Sequence, residues 1–199
     1  RSRGLGDVYK RQGYSWDELK LLIPDMLSAG LIGHHYTCPD MIGGGLLSTF
    51  ENIDYSKFDQ SLMVRSAQNQ ALMPMMQFSV APWRVLDREH LALCREAALL
   101  HSRFGDYIYS LALEAAEGGE PIVRHLEYVF PHQGFQVCND QYMLGDKYLV
   151  APMNEKGTVR TVILPKGKWK DEQGKVYKGG GTVRIEVPLE RLPYFERLK

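Results

Sequence analysis

Residues 31–45 read Leu-Ile-Gly-His-His-Tyr-Thr-Cys-Pro-Asp-Met-Ile-Gly-Gly-Gly, an order that predicts a strand delivering a carboxylate to a glycine-rich loop. Apolar, β-branched and aromatic residues run from 31 to 38. Pro39, which has no N–H for a sheet ladder, ends them. Asp40 then stands just past the strand's C-terminal end. In a barrel of alternating strands and helices that edge holds substrate, so Asp40 is the first candidate site residue. His34 and His35 are adjacent, so on a strand they point to opposite faces and cannot form one paired metal site. One buried and one outward histidine is the expectation.

Upstream, Ser15 and Glu18 have capping-box spacing, and Leu19, Leu22, Ile23, Met26 and Leu27 recur on one helical face until Gly30. They predict a helix over 16–29, kinked by Pro24. Downstream, the loop 41–55 has three consecutive glycines and no Lys-Ser/Thr signature, which suits backbone making room for a ligand, or a lid, better than a phosphate cradle. Ser56 is expected to cap a second helix to about residue 73, with Phe58, Leu62 and Arg65 at helical spacing. Arg65 reads equally as a surface cation or a buried ion-pair partner. Residues 73–80 predict another short strand, with Met73, Met75 and Met76 as core filler. A break at 81–84 carries Trp83, and Asp87 caps a third helix to about residue 117, stopped by Gly118-Gly119.

Beyond Pro121 the pattern changes to short β-type runs, at 122–130, 141–143, 148–151, 159–164, 176–177, 183–187 and 194–195, separated by glycine, proline and charged turns. A β-sandwich of five to eight strands is the expectation there, with a domain boundary near Glu120. The fold class is thus α/β followed by all-β.

Bulk properties narrow the function. Twenty-four basic residues balance 24 acidic ones, for a net charge of +0, with no basic cluster suited to tracking phosphates, so nucleic acid is not an expected partner. Three cysteines, Cys38, Cys94 and Cys138, are too few and too scattered for a disulfide framework or a metal site and are expected as buried thiols. No apolar run approaches the ~20 residues that span a bilayer. Residues 1–12, Arg-Ser-Arg-Gly-Leu-Gly-Asp-Val-Tyr-Lys-Arg-Gln, carry no clear period and look like translated adaptor sequence, so a disordered, non-native prefix is expected.

Several pieces in order then resemble glycoside hydrolase family 31, the retaining α-glucosidases and α-xylosidases. They are Trp-Asp-Glu-Leu at 16–19, Gly-Leu-Ile-Gly at 30–33, the Asp40 loop, Arg65 before Pro74, and Gly119-Glu120-Pro121 with Arg124. Asp-Gln-Tyr-Met-Leu-Gly-Asp at 140–146, Leu-Val-Ala-Pro at 149–152 and Leu164-Pro165 before Trp169 complete the set. The wording at 38–44 and 73–79 looks most like a subgroup that includes the animal myogenesis-regulating glycosidase. The resemblance implies the C-terminal part of a (β/α)8 TIM barrel over 13–120, then a proximal C-terminal β-sandwich over 121–199. It implies hydrolysis of terminal α-linked hexosides, α-glucoside or α-galactoside, by double displacement with two aspartates ≈ 5 to 5.5 Å apart. The nucleophile belongs to an earlier strand, and the acid/base position falls at Arg11, so neither catalytic carboxylate is expected here and the isolated chain should be inactive.

The sugar pocket carries over in part. Asp40 matches an aspartate in the wall of the subsite for the reacting sugar. Ser79 stands where the family's glucosidases have a substrate-binding histidine, Gln77 where they have an arginine, and Gly44 replaces a common aromatic. Trp83 reads as a stacking face for a sugar or as a core tryptophan. The expected partner is an oligosaccharide or glycoside, with no cofactor. Asp40 and Ser79 are expected to crown neighbouring parallel segments above one hollow. A non-catalytic carbohydrate-binding or structural β module is the rival, and it predicts an exposed aromatic platform on the sandwich.

Overall fold

The computed structural model of the protein describes residues 14–44 and 58–198. The expectations for residues 1–12, for the glycine loop beyond Gly44 and for Ser56 lie outside them. Helix α1 is Trp16–Leu31. Its cap follows from local chemistry: the Glu18 N–H donates to Ser15 Oγ at 3.3 Å, and that hydroxyl donates to the Glu18 carboxylate at 2.8 Å. Gly30 does not end this helix. A Cβ there would meet Pro121 Cβ at 3.1 Å and the Val123 carbonyl at 3.2 Å, so Gly30 is a point of close packing, and Gly33, at φ +91, makes the left-handed exit instead.

No strand forms over 31–38. Leu31 closes the helix, Ile32 is exposed, and Tyr36 lies on the surface with its hydroxyl donating to the Ala112 carbonyl at 2.6 Å. His34 and His35 therefore sit in a turn, His34 exposed and His35 half-buried, rather than on opposite strand faces. The strand expected over 73–80 is likewise reduced to one residue: Ile42 and Phe78 form a single parallel bridge. Met73 and Met76 join the core as expected, but Met75 is exposed.

Helix α2, Gln60–Gln70, is capped by Asp59, whose carboxylate accepts from the Leu62 N–H at 3.0 Å. Arg65 lies inside it and is buried, yet its partners are carbonyls rather than a carboxylate, so neither sequence reading of it holds. The expected third helix is two, α3 (Arg88–Arg103) and α4 (Gly105–Gly118). They break at Phe104, whose ring meets Tyr148 and Tyr194 edge-on at 5.0 and 5.5 Å, and apolar periodicity continues straight through that corner. Asp87 caps α3 and Gly119, at φ 74, closes α4.

The remainder is β1 (Val123–Arg124), a short helix α5 (Leu126–Val129), β2 (Tyr142–Leu144), β3 (Tyr148–Val150), β4 (Val159–Leu164), β5 (Lys168–Asp171), β6 (Val176–Lys178), β7 (Gly181–Glu186) and β8 (Tyr194–Leu198). The strand expected over 122–130 stops after two residues, because the His125 ring accepts from the Glu127 N–H and caps α5. Six strands form one sheet in the order β1-β2-β3-β8-β5-β6, and β4-β7 form a second, every strand pair antiparallel. The fold is thus a mixed helix and sheet arrangement with antiparallel sheets, and no barrel closes among the described residues.

Alternation along the central strands binds the layers. Tyr142, Leu144 and Val150 face the helices, whereas Met143, Leu149, Ala151 and Phe195 face the second sheet with Trp169. Both faces of the central strands β2 and β3 are therefore core.

Candidate functional site

The Asp40 turn is tied down on two sides. Toward the chain's C-terminus, the Ile42 N–H donates to the Gln77 carbonyl at 2.9 Å and the Ser79 N–H donates to the Ile42 carbonyl at 3.0 Å. These bonds set the Asp40 and Ser79 segments side by side and parallel. Toward α2, the Gln70 side-chain amide donates to the Asp40 carbonyl. The Asp40 carboxylate accepts from the N–H of the next residue, Met41, at 2.8 Å. Gly43 serves packing: at φ +101, a Cβ there would stand 3.0 Å from Ser79 Oγ and 3.1 Å from Val80 Cγ1, so the room it leaves is filled by protein.

Beside Asp40 is a hollow bordered by Tyr14, Glu18, Gly44, Ser66 and Gln70. Its volume is about 30 Å³ and it is partly open to solvent, so the described residues alone do not enclose a whole sugar ring. Ser79, Gln77 and Trp83 do not border it. Ser79 Oγ donates to the Ile42 carbonyl at 3.0 Å, Gln77 is exposed with its side-chain oxygen 3.8 Å from Cys38 Sγ, and Trp83 is 72% exposed on a 3₁₀ turn, Pro82–Arg84. Of the four sequence candidates, the structure brings Asp40 and Ser79 to adjacent segments and leaves Gln77 and Trp83 at the surface.

Among the polar residues on the hollow that the sequence did not single out as site residues are Tyr14, Glu18, Ser66 and Gln70. Glu18 has a visible local role in the helix cap, which masks its position. The signal for Gln70 is the run Gln68-Asn69-Gln70, three amides that α2 turns inward, at 4%, 0% and 1% exposure. Each of the three donates a side-chain N–H to a backbone carbonyl, of Leu189, Met153 and Asp40 respectively.

Next to the hollow, Asp59 gathers donors: the Trp16 indole N–H at 2.8 Å, the Leu62 N–H, and Lys156 Nζ at 3.5 Å. Burial pushes its carboxyl up, but the Trp16 and Leu62 bonds and the Lys156 charge outweigh that and hold it below the usual carboxylate range. Burial, then the charge of Asp40, push the Cys38 thiol up, which keeps it protonated and poorly nucleophilic. All three cysteines are free, and Cys38 is half-buried rather than buried. Among the described residues, no group of three His, Cys, Asp or Glu is arranged to hold a metal, and no helix is long and apolar enough to cross a membrane.

Residues 119–198 match the glycosyl hydrolase family 31 C-terminal domain. Over 184 residues the chain is 35% identical to the myogenesis-regulating glycosidase of Mus musculus, covering 89% of this chain and 26% of that protein. Over 186 residues it is 34% identical to an α-glucosidase of Saccharolobus solfataricus, covering 88% of this chain and 26% of the relative. Among solved structures, a Flavobacterium johnsoniae dextranase complexed with isomaltotriose superposes with a TM-score of 0.82 at 30% identity, over 92% of this chain and 23% of that one. The chain spans about a quarter of the length of the curated relatives it matches.

Proposed function

From the premise that the chain belongs to glycoside hydrolase family 31, we propose that it is part of a retaining α-glycosidase acting on terminal α-linked hexosides, α-glucosides or α-galactosides, by double displacement. In this reading residues 13–120 are the last βα units of a TIM barrel, and 121–199 are the proximal C-terminal sandwich that backs them. The observation that carries it is the parallel Ile42–Phe78 bridge, which sets the Asp40 turn beside the Ser79 segment as consecutive barrel strands would. Asp40 accepts hydrogen bonds from sugar hydroxyls. Ser79 is the next polar group along that edge, while Gln77 and Trp83 reach a sugar only where it extends past the hollow.

Double displacement needs one carboxylate to attack and another to protonate the leaving oxygen. Among the described residues, the carboxylates bordering the hollow are Asp40 and Glu18, and Glu18 accepts from the Ser15 hydroxyl that caps α1. The role these described residues support in that reading is binding of the sugar. The rival β module is less well supported: Trp169 and Phe195 are fully buried, and the exposed large apolar side chains between 121 and 198 are Tyr128, Val137 and Val176.

The test is titration of the chain with glucose, galactose, isomaltotriose and an α-galactoside, read at backbone amides. Shifts at Ile42, Gly43 and Ser79 that disappear in Asp40→Ala are the expected result, with no release of nitrophenol from nitrophenyl α-glucoside or α-galactoside by the isolated chain. Shifts confined to the sandwich would transfer the reading to the rival module, and hydrolysis above a blank would overturn the division of labour.

A further inference from the structure

We propose that Gln70 is the positioning residue of the Asp40 site, fastening the turn that carries the carboxylate to the helix that the sandwich holds. Its Nε2 donates to the Asp40 carbonyl, 2.5 Å away. Its Oε1 is buried and has no hydrogen-bond partner among the described residues. A stranded buried acceptor is costly, and an apolar side chain of similar length would fill the same space without one. What only the amide supplies is the N–H toward Asp40, which also fixes which way round the amide lies.

The other inward polar residues of α2 grip the opposite body. Arg65 donates to the carbonyls of Val187 and Arg191 at 2.7 and 3.0 Å, Gln68 to Leu189 at 2.6 Å, and Asn69 to Met153 at 2.9 Å. One helix therefore holds sandwich backbone with three side chains and the site's backbone with a fourth. A shift of the sandwich against α2 is felt at Asp40, although no residue after 70 borders the hollow. The functional weight of this link rests on Asp40 being the sugar-facing group proposed above; the link itself does not.

Hydrogen exchange of the full 199-residue chain tests it. In Gln70→Met, which keeps length and apolar bulk but has no donor, the amides of Met41, Ile42 and Gly44 should exchange about tenfold faster relative to the unsubstituted chain, with β3, β5 and β8 unchanged. Gln70→Glu supplies a rescue that a packing role would not show. Ionised, its carboxylate is only an acceptor; protonated, it donates again, so protection should return as the pH falls through the glutamate's value, roughly 4.3 or higher once buried. Tyr14, Glu18 and Asp40 on the hollow and His101, which faces the Ala71 carbonyl, also titrate or carry charge nearby, and Gln70→Met controls for all of them.

Unchanged exchange over 41–44 in Gln70→Met, or a glutamate variant whose protection ignores pH, overturns the inference. If neither variant folds, a scalar coupling across the bond from the Gln70 side-chain nitrogen to the Asp40 carbonyl carbon in the unsubstituted chain decides, its absence counting against. Loosened exchange in a chain that binds no sugar would uphold this link and overturn the sugar reading. Sugar binding with unaltered exchange would do the reverse.

Discussion

At the scale of single residues, Asp59 does several jobs with one carboxylate. It caps α2 through the Leu62 N–H, holds the Trp16 indole, and sits 3.5 Å from Lys156. Burial opposes the charge, but these partners win, and the folded-state value lies below the ordinary one. A depressed carboxylate contributes stability that is present above the unfolded value, near 4, and is lost as pH falls through the folded value. Asp59→Asn keeps an oxygen for the cap while removing the titration. The stability gap between the two proteins, from urea unfolding, should therefore be largest near pH 6 and shrink toward pH 3. Asp87, Glu127 and Glu196 are also held low, but they are common to both proteins and cancel. A gap that stays constant with pH would remove the electrostatic account of Asp59.

At the scale of elements, what the sequence revealed depended on whether an element's cause is local. The cap at Ser15 and the stop at Gly119 depend on neighbours within four residues and are legible. The strand expected over 31–38 needed a hydrogen-bonding partner, and among the described residues the ladder bonds begin only at Ile42, with Gln77 and Ser79. β5 escaped notice because Trp169 is its one large apolar residue between two lysines, although that indole is fully buried with its N–H on the Pro165 carbonyl at 2.8 Å. Asp40 was legible as a residue at the end of an apolar run; Gln70 was not, because its partner is a backbone carbonyl 30 positions away. Arg65 belongs with the illegible. Its guanidinium spreads donors over Gln68 and the carbonyls of Val187, Pro188 and Arg191. Burial lowers its value to about 10, against a smaller opposing pull from Glu190, so it remains charged at neutral pH. An ammonium cannot span that set, so Arg65→Lys should leave buried carbonyls unpaired and cost about 2 kcal/mol in denaturant unfolding. A change under about 0.5 kcal/mol, the range of an ordinary surface substitution, would mean the fork is replaceable.

At the scale of the whole molecule, the six-stranded sheet decides how the parts unfold. Tyr142, Leu144 and Val150 belong to the core shared with the helices, and Met143, Leu149 and Phe195, interleaved along the same strands, to the core shared with β4 and β7. Neither core can be dismantled without stripping one face from the same three strands, and the α2 side chains add hydrogen bonds across the seam. The helices and the sandwich should therefore lose structure together, even though their sequence patterns differ so sharply at Glu120. Far-ultraviolet dichroism reports mainly the helices. In a Trp16→Phe, Trp83→Phe chain, fluorescence reports Trp169 alone, which is fully buried in the sandwich core. The two probes should give coincident melting midpoints, the signature of a single cooperative step. A Trp169 transition that outlasts the helical one would show that the sandwich stands without its second layer, and the shared-sheet argument would fail there.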